Sequence, residues 1–368
     1  MLNLDLPGVL GAIVASAPRA GDVLLAVGCP PQVQVEGELV RIPVAGLERL
    51  TPYQTEAIVV HLLALAPPSS AVRVRQEGAA HFSYSVPGLN RFRVAVFSQR
   101  GSFAVSLRMI PDRVPALAEL GLPDAMAEAC RERSGVVLVN GPAGSGRTTS
   151  LAAMVAEVNR GRACHVVTIE DPIEFLHRHE KATINQREVG VDTPSLAHGI
   201  SEAMRQGAQV VLAGEVRGRE EARLLLDAAE TGHLVMTTLR GLDTVSAVLR
   251  MLSFFAIEER SEVRSRLARA LRWSFAQRIL QHAEGRRAVV EVWRGTRAAA
   301  AHLAEGPLDS AAMAEVLLEG EADGQLGLDR ALEARVRLGE MTAETALDAA
   351  LQPERLEARL LDAGARRR

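Results

Sequence analysis

The chain has 368 residues, 42 basic and 45 acidic side chains, and a formal net charge of −3. That balance excludes any global attraction to nucleic acid or to an anionic lipid surface. With 48% hydrophobic but only 3% aromatic residues, it can fill two cores, mostly with Leu, Val, Ala and Ile. Lys181 is the single lysine, so almost every cation in the sequence is a guanidinium.

The opening segment from Met1 to Pro7 carries Asp5 where a secretory signal needs positive charge. The longest apolar runs, such as Ala57 to Pro67, are interrupted by His61 and fall well short of a bilayer span. The sequence therefore reads as a cytoplasmic protein with no direct membrane insertion, any membrane association coming through a partner. Cys29, Cys130 and Cys164 form no C-x-x-C pair, which points to small buried thiols and away from a disulfide framework or zinc ribbon.

Residues 1–112 read as a small α+β domain. Strand-like runs cover Asp22 to Val27 and Val33 to Val40, a helix starts near Pro52, and further strands cover Phe82 to Val86 and Arg91 to Phe97. Pro111, Pro115 and the Gly121-Leu122-Pro123 turn mark a boundary or hinge, followed by a short helix over Asp124 to Arg133. The second domain, 113–368, changes pattern from Gly135 onward. Apolar runs at Val136 to Val139, Val166 to Ile169, Val210 to Ala213 and Leu234 to Leu239 alternate with helical spacing, the signature of a parallel sheet covered on both faces. From about residue 260 the composition predicts a helical C-terminal region, ending in a solvated basic tail, Arg366 to Arg368.

Gly141-Pro-Ala-Gly-Ser-Gly-Arg-Thr148 lies between the run Val136 to Val139 and a helix through Val158. This is the phosphate-loop pattern with Arg147 where lysine is usual. Gly141, Gly144 and Gly146 let the backbone wrap a phosphate chain, with Ser145, Arg147, Thr148 and Thr149 completing the binding loop. The helix start adds its partial positive charge. Thr148 is the expected hydroxyl ligand to Mg²⁺. Arginine keeps the charge but is planar and bulkier than lysine, so retained binding with slowed or lost hydrolysis is expected.

Two acidic segments follow sheet strands. Thr168-Ile-Glu-Asp-Pro-Ile-Glu174 places three carboxylates within reach of a metal ion or an attacking water, although Glu170 and Asp171 also suit a helix start. Gly214-Glu215-Val-Arg217 puts a carboxylate directly after a buried run, as Walker B sites do. Thr231-Gly-His233 precedes the next strand; His233 is read as sensing the γ-phosphate or relaying its state across the sheet, or else as an ordinary structural histidine. His177-Arg-His179 lacks a third ligand nearby and reads as solvated loop.

Together these segments resemble the PilT/PilU-type type IV pilus retraction ATPases of the secretion ATPase superfamily, most densely between Gly135 and Met251. Thr168 to Phe175 resembles that family's Asp box, Ile184 to Val189 the loop after it, and Ala228 to Val235 its histidine box. Ala20 to Gly28 and Pro87 to Val94 are similar to its PAS-like first domain. The resemblance implies an α/β fold class, with a PAS-like α+β N-terminal domain joined by a hinge to a RecA-like P-loop ATPase domain. It further implies ATP and Mg²⁺ as cofactors, and a ring of six that is either a homo-hexamer or mixed with a related ATPase. Glu174 and Glu215 would activate water and support Mg²⁺, while Arg93, Arg108 and less centrally Arg100 would act as arginine fingers. Hydrolysis would drive hinge motions acting on an inner-membrane pilus platform protein, with no nucleic acid involved.

The sequence departs from that family at specific places. Arg147 replaces the loop lysine and Arg240 stands where a Thr-Leu-His element has its histidine. Gly207-Ala-Gln209 and Gly218 replace acidic positions around the Walker B strand, and Ala298 to Leu303 is a degraded form of the family's Ala-Ile-Arg-Asn-Leu-Ile element. A catalytically impaired pseudo-ATPase, acting as partner of an active ring, is therefore the alternative. An assembly or export ATPase is disfavoured by the missing tetracysteine zinc element, and a nucleic-acid motor by the lack of a basic stripe with interleaved aromatics.

Overall fold

The computed structural model describes residues 5–16, 21–35, 38–110, 113–283 and 285–365. Pro111, Ala20 and the Arg366 to Arg368 tail lie outside the described residues. The chain divides into two compact units, one of residues 1–113 with Glu174–Leu176, the other of Val114–Ile173 with His177–Arg368.

The first unit contains α1 (Leu6–Ser16), β1 (Asp22–Leu25), β2 (Gln32–Val35), β3 (Glu38–Arg41), α2 (Pro52–Ala64), α3 (Pro68–Glu77), β4 (Ala79–Val86), β5 (Asn90–Gln99) and β6 (Ser102–Ile110). Its strands form one sheet in the order β3-β2-β1-β6-β5-β4, every neighbouring pair antiparallel. The period-2 burial of β4 turns Ala80, Phe82, Tyr84 and Val86 inward, where they join Leu10, Ile58, Phe92 and Leu107 in the core. Thr51 starts α2 with a capping box to Gln54, and Pro52 occupies the first helical position. The strand expected over Val33 to Val40 is two strands, β2 and β3, paired with Val33 opposite Val40. All four residues of β3 are exposed, so it forms a solvated edge and cannot continue the half-buried β2.

The second unit opens with α4 (Asp124–Ala129), β7 (Gly135–Asn140), α5 (Arg147–Gly161), β8 (His165–Glu170), β9 (Thr183–Glu188) and α6 (Leu196–Arg205). It continues through β10 (Val210–Glu215), α7 (Arg219–Glu230), β11 (Leu234–Leu239), α8 (Thr244–Ser253), α9 (Arg260–Ala270), β12 (Leu271–His282) and β13 (Gly285–Arg294). Five short helices close it: α10 (Arg297–Glu305), α11 (Ser310–Glu319), α12 (Leu328–Arg337), α13 (Ala343–Ala349) and α14 (Pro353–Ala365). The sheet order is β13-β12-β7-β11-β10-β8-β9, parallel throughout except where β13 turns back on β12. β7 and β11 are buried at every position, as strands covered on both faces must be. The segment Ile184 to Val189, read as a loop, contributes the edge strand β9. The region beyond residue 260 is helical except for a long β-hairpin, β12–β13. Trp273, Phe275, Val290 and Val292 drive that exception by burying one face of the hairpin, Trp273 and Phe275 stacked at 5.8 Å, while Trp293 is buried in the core on the other face.

Candidate functional site

Parallel register brings the chemistry-bearing segments of the second unit to one edge of the sheet. Asn140 of β7 lies opposite Leu239 of β11, and Glu215 of β10 opposite Thr238. The phosphate loop, Glu215 and Arg240 therefore all leave the carboxyl ends of neighbouring strands, where open parallel sheets bind ligands.

The loop owes its shape to glycine. Gly141, Gly144 and Gly146 have φ of +155°, +76° and +81°, values that side-chain-bearing residues rarely adopt. At Gly141 a Cβ would sit 2.4 Å from both the Gln277 carbonyl oxygen and Ser145 Oγ. Gly146 caps α5 without any side-chain hydrogen bond, so the first-turn N–H groups of Arg147, Thr148 and Thr149 are not claimed by a cap. Ser145 Oγ is buried without a hydrogen-bond partner. A cavity of about 380 Å³ opens beside the loop, bordered by Gly144, Ser145, Arg278, Arg286 and Asp348. Uncapped donors, an orphaned hydroxyl and left-handed glycines fit a bound phosphate chain.

Gln277, which sequence reasoning missed, holds this loop from below. Its Nε2 donates to the Ser145 carbonyl at 2.5 Å and its Oε1 accepts from Ser150 Oγ at 2.7 Å. No signal marked it, because β12 was expected to be helical. A second buried chain of contacts runs from Asn140 to Ser274 at 3.2 Å, from Ser274 to Thr244 at 3.1 Å, and from the Thr244 N–H to Glu291 at 2.8 Å. Burial raises the Glu291 carboxyl to about 7, with backbone donors opposing it and Asp243 adding to it.

The altered lysine position has a specific set of partners. Arg147 donates from Nη1 to the Leu239 carbonyl at 2.8 Å, tying the start of α5 to the end of β11. Burial draws its pKa below the ordinary guanidinium value, Glu215 opposes that shift and Arg240 reinforces it. Arg240 donates from Nε to Glu215 Oε1 at 2.6 Å. Arg217 stands 3.8 Å from the other Glu215 oxygen and 3.3 Å from Asp171 Oδ2. Glu215 is thus a carboxylate between two guanidiniums, with a third nearby.

That environment decides how Glu215 relates to a divalent cation. Thr148 and Glu215 are the expected Mg²⁺ ligands, and Thr148, in the first turn of α5, suits that role. Glu215 does not fit it in this arrangement, because both its oxygens face arginine and a divalent ion there would meet like charge. Among the described residues no group of three His, Cys, Asp or Glu side chains is arranged to hold a metal. Glu170 is occupied as well: its Oε1 accepts from Thr168 Oγ1 at 2.6 Å and Gln186 Nε2 at 3.1 Å.

His233 is not at this edge. It precedes Leu234, which pairs with Gly135 at the opposite end of the sheet, and its carbonyl accepts from the Gly135 N–H at 3.0 Å. The six residues of β11 lie between it and Arg240, seven steps or roughly 23 Å of extended chain, too far to touch phosphates held by the same chain's loop. Its Nδ1 lies 3.0 Å from the Ala228 carbonyl and 3.2 Å from Thr231 Oγ1, closing the end of α7. His177 differs from expectation too, since burial lowers its pKa to about 4, while His179 Nδ1 accepts from the Ile184 N–H.

In the first unit, Arg93 and Arg108 are directly opposed across the β5–β6 register. Like charges so placed repel, and Asp22, next in the same row on β1, offsets this by gripping Arg108 through two hydrogen bonds of 2.8 and 3.0 Å. Glu174 belongs to this unit: burial raises its pKa, and Arg93 and then Arg108 pull it back. Arg100 does not join them. It sits with Gly101 at the β5–β6 hairpin tip, both residues at positive φ, seven positions from Arg93 and about 23 Å along the strand.

Comparison with known proteins follows the same lines. Residues 63–328 match the family described as Type II/IV secretion system protein. The type IV pilus retraction ATPase PilT of Pseudomonas aeruginosa is 35% identical over 336 residues, covering 91% of this chain and 95% of the relative. The chain belongs to the PilT/PilU-type pilus ATPase family. The type IV pilus ATPase PilU of the same organism is 33% identical over 89% of this chain and 84% of its own length. A crystal structure of the pilus retraction motor PilT with bound ADP superposes with a TM-score of 0.87 at 32% identity, covering 96% of this chain and 99% of that one. The family's α/β architecture, a sheet domain followed by a RecA-like domain and C-terminal helices, is the fold observed here. Among the described residues no helix is long and apolar enough to cross a membrane.

Proposed function

We propose that this chain is a nucleotide-binding motor subunit of the type IV pilus retraction type, converting ATP hydrolysis into the removal of pilin from the pilus base. The observation that carries the reading is the phosphate loop, with left-handed glycines, an uncapped helix start and an orphaned Ser145 hydroxyl at the carboxyl edge of a parallel sheet. The kinship with PilT and PilU supplies the biological setting. In this reading the loop residues Gly141 to Thr149 bind the phosphates, Glu174 and Glu215 handle the attacking water, and Arg93 and Arg108 reach the phosphates. Six such subunits, alike or mixed with a related ATPase, form a ring in the cytoplasm that works against an inner-membrane platform protein. Thr148 would hold Mg²⁺, which when bound neutralises phosphate charge.

One observation favours the alternative of a nucleotide-binding pseudo-ATPase that partners an active ring. Glu215, the Walker B-like carboxylate at the same sheet edge as the loop, is engaged by Arg240 at 2.6 Å. ATP turnover by the purified protein, with Glu215→Gln as the blank and ADP binding measured in parallel, separates the two. Turnover above the blank supports the motor. Binding without turnover supports the pseudo-ATPase, and no binding refutes both.

A further inference from the structure

Arg240 stands where the family's Thr-Leu-His element has its histidine. It follows β11 at the same edge as the loop, its side chain is 63% exposed, and yet it makes a 2.6 Å ion pair with a carboxylate that is 18% exposed. An exposed arginine has many solvated rotamers, so a short contact to a mostly buried acid defines a particular arrangement. Arg217 takes the opposite oxygen of Glu215, and Arg147 lies behind, bonded to the Leu239 carbonyl that immediately precedes Arg240. Three guanidiniums therefore gather around Glu215, with Asp171 beside Arg217 and the Glu221 carboxylate on the Arg217 N–H.

We propose that Arg240 is an internal counter-ion that occupies Glu215 in place of a metal-bound water, so that this chain recruits nucleotide phosphate chiefly through guanidinium charge and with little help from Mg²⁺. The inference rests on the reading of the loop as a nucleotide site. Its physical content is a competition. A phosphate chain entering the loop is drawn to Arg147, Arg217 and Arg240, whereas a divalent cation entering beside it meets those same three positive charges. Glu215 can serve a cation or a water only after Arg240 has moved away. Arg240 thus acts through Glu215 as a positioning residue. Because it is largely exposed, replacing it removes no core packing, and its effect is readable apart from folding.

The test is the affinity of the full-length protein for a fluorescent ADP analogue, measured in Mg²⁺ and again in EDTA, for the parent, Arg240→Ala, Arg240→His and Arg240→Lys. The parent and Arg240→Lys are expected to differ by less than about threefold between the two conditions, because each keeps a cation beside Glu215. Arg240→Ala and Arg240→His are expected to bind about tenfold or more tightly in Mg²⁺ than in EDTA, since Glu215 is freed for the cation. The proposal is overturned if the parent already shows a tenfold gain from Mg²⁺, or if Arg240→Ala shows no more dependence on it than the parent. Absence of analogue binding by all four proteins refutes the nucleotide reading itself and takes this proposal with it. Binding by all four with identical Mg²⁺ dependence refutes only the role given to Arg240.

Discussion

Gln277→Ala tests whether the phosphate loop is held by β12. Gln277 is 2% exposed and spends both ends of its amide on the loop and the helix after it, at 2.5 Å to the Ser145 carbonyl and 2.7 Å to Ser150 Oγ. Two such bonds contribute about 1 kcal/mol each, and the truncated methylene and the space left behind add about 1 kcal/mol more, giving a loss of roughly 3 kcal/mol. For a unit of this size that corresponds to a fall of about 6–12 °C in melting temperature. Thermal melts with and without saturating ADP are the assay, because ligand stabilisation reports the competence of the loop separately from global stability. If about half of the lost support comes from the loop, ADP affinity falls roughly tenfold. Gln277→Glu, which still accepts from Ser150 but sets a carboxylate against the Ser145 carbonyl, should weaken ADP binding at least as much. A melting shift under about 2 °C together with unchanged ADP affinity for Gln277→Ala would refute the claim that this residue supports the loop.

Gly141→Ala should abolish ADP binding in the same melt, because its Cβ would lie 2.4 Å from the Gln277 carbonyl at a φ of +155°; retained ADP stabilisation would show that the loop has room to spare. Arg147→Lys should raise ATP turnover about threefold or more, since a slim ammonium is less bound to the Leu239 carbonyl than a half-buried guanidinium. Equal turnover would mean another residue limits the rate. Glu291 gives a pH signature. Its folded-state pKa is raised to about 7 from an ordinary 4.5, so the folded unit takes up a proton that the unfolded chain has released. The stability this confers is fully present below about pH 4.5 and is lost as pH rises through about 7, amounting to about 3 kcal/mol. Glu291→Gln should therefore be relatively more stable than the parent at pH 8 and lose that advantage at pH 5, as read from paired melts. Parallel pH curves for the two proteins would remove Glu291 as the titrating group.

The sequence was most legible where the chemistry is local. Gly141, Gly144 and Gly146 needed left-handed backbone to cradle phosphate, and all three adopt it. The buried strands β7, β8, β10 and β11 showed themselves as continuous apolar runs because both their faces are covered. Long-range pairing was less visible. β9 is polar at every position but Ile184 and takes its strand form from β8, while β12 and β13 carry Ala, Arg and Leu whose helical propensity is overridden by the burial of Trp273, Phe275 and Trp293. Gln277 could not be seen for the same reason, since its role depends on β12 lying beside β7. Which end of its strand His233 occupies was not legible, because sequence distance from the loop does not say it; direct contact with phosphates on the same chain's loop is out of reach there. Of the proposed arginine fingers, Arg93 and Arg108 share a cross-strand position, whereas Arg100 is set apart by the hairpin turn.

The burial of β11 also limits how a signal can travel. Each of its six residues is buried and paired in parallel with β7 on one side and β10 on the other. A one-residue slip would exchange its two covered faces, so the strand cannot creep past its neighbours in small steps. What happens at Leu239, where Arg147 is tethered, can reach His233 at the far end only if the strand moves as a stiff rod and carries β7 and β10 with it.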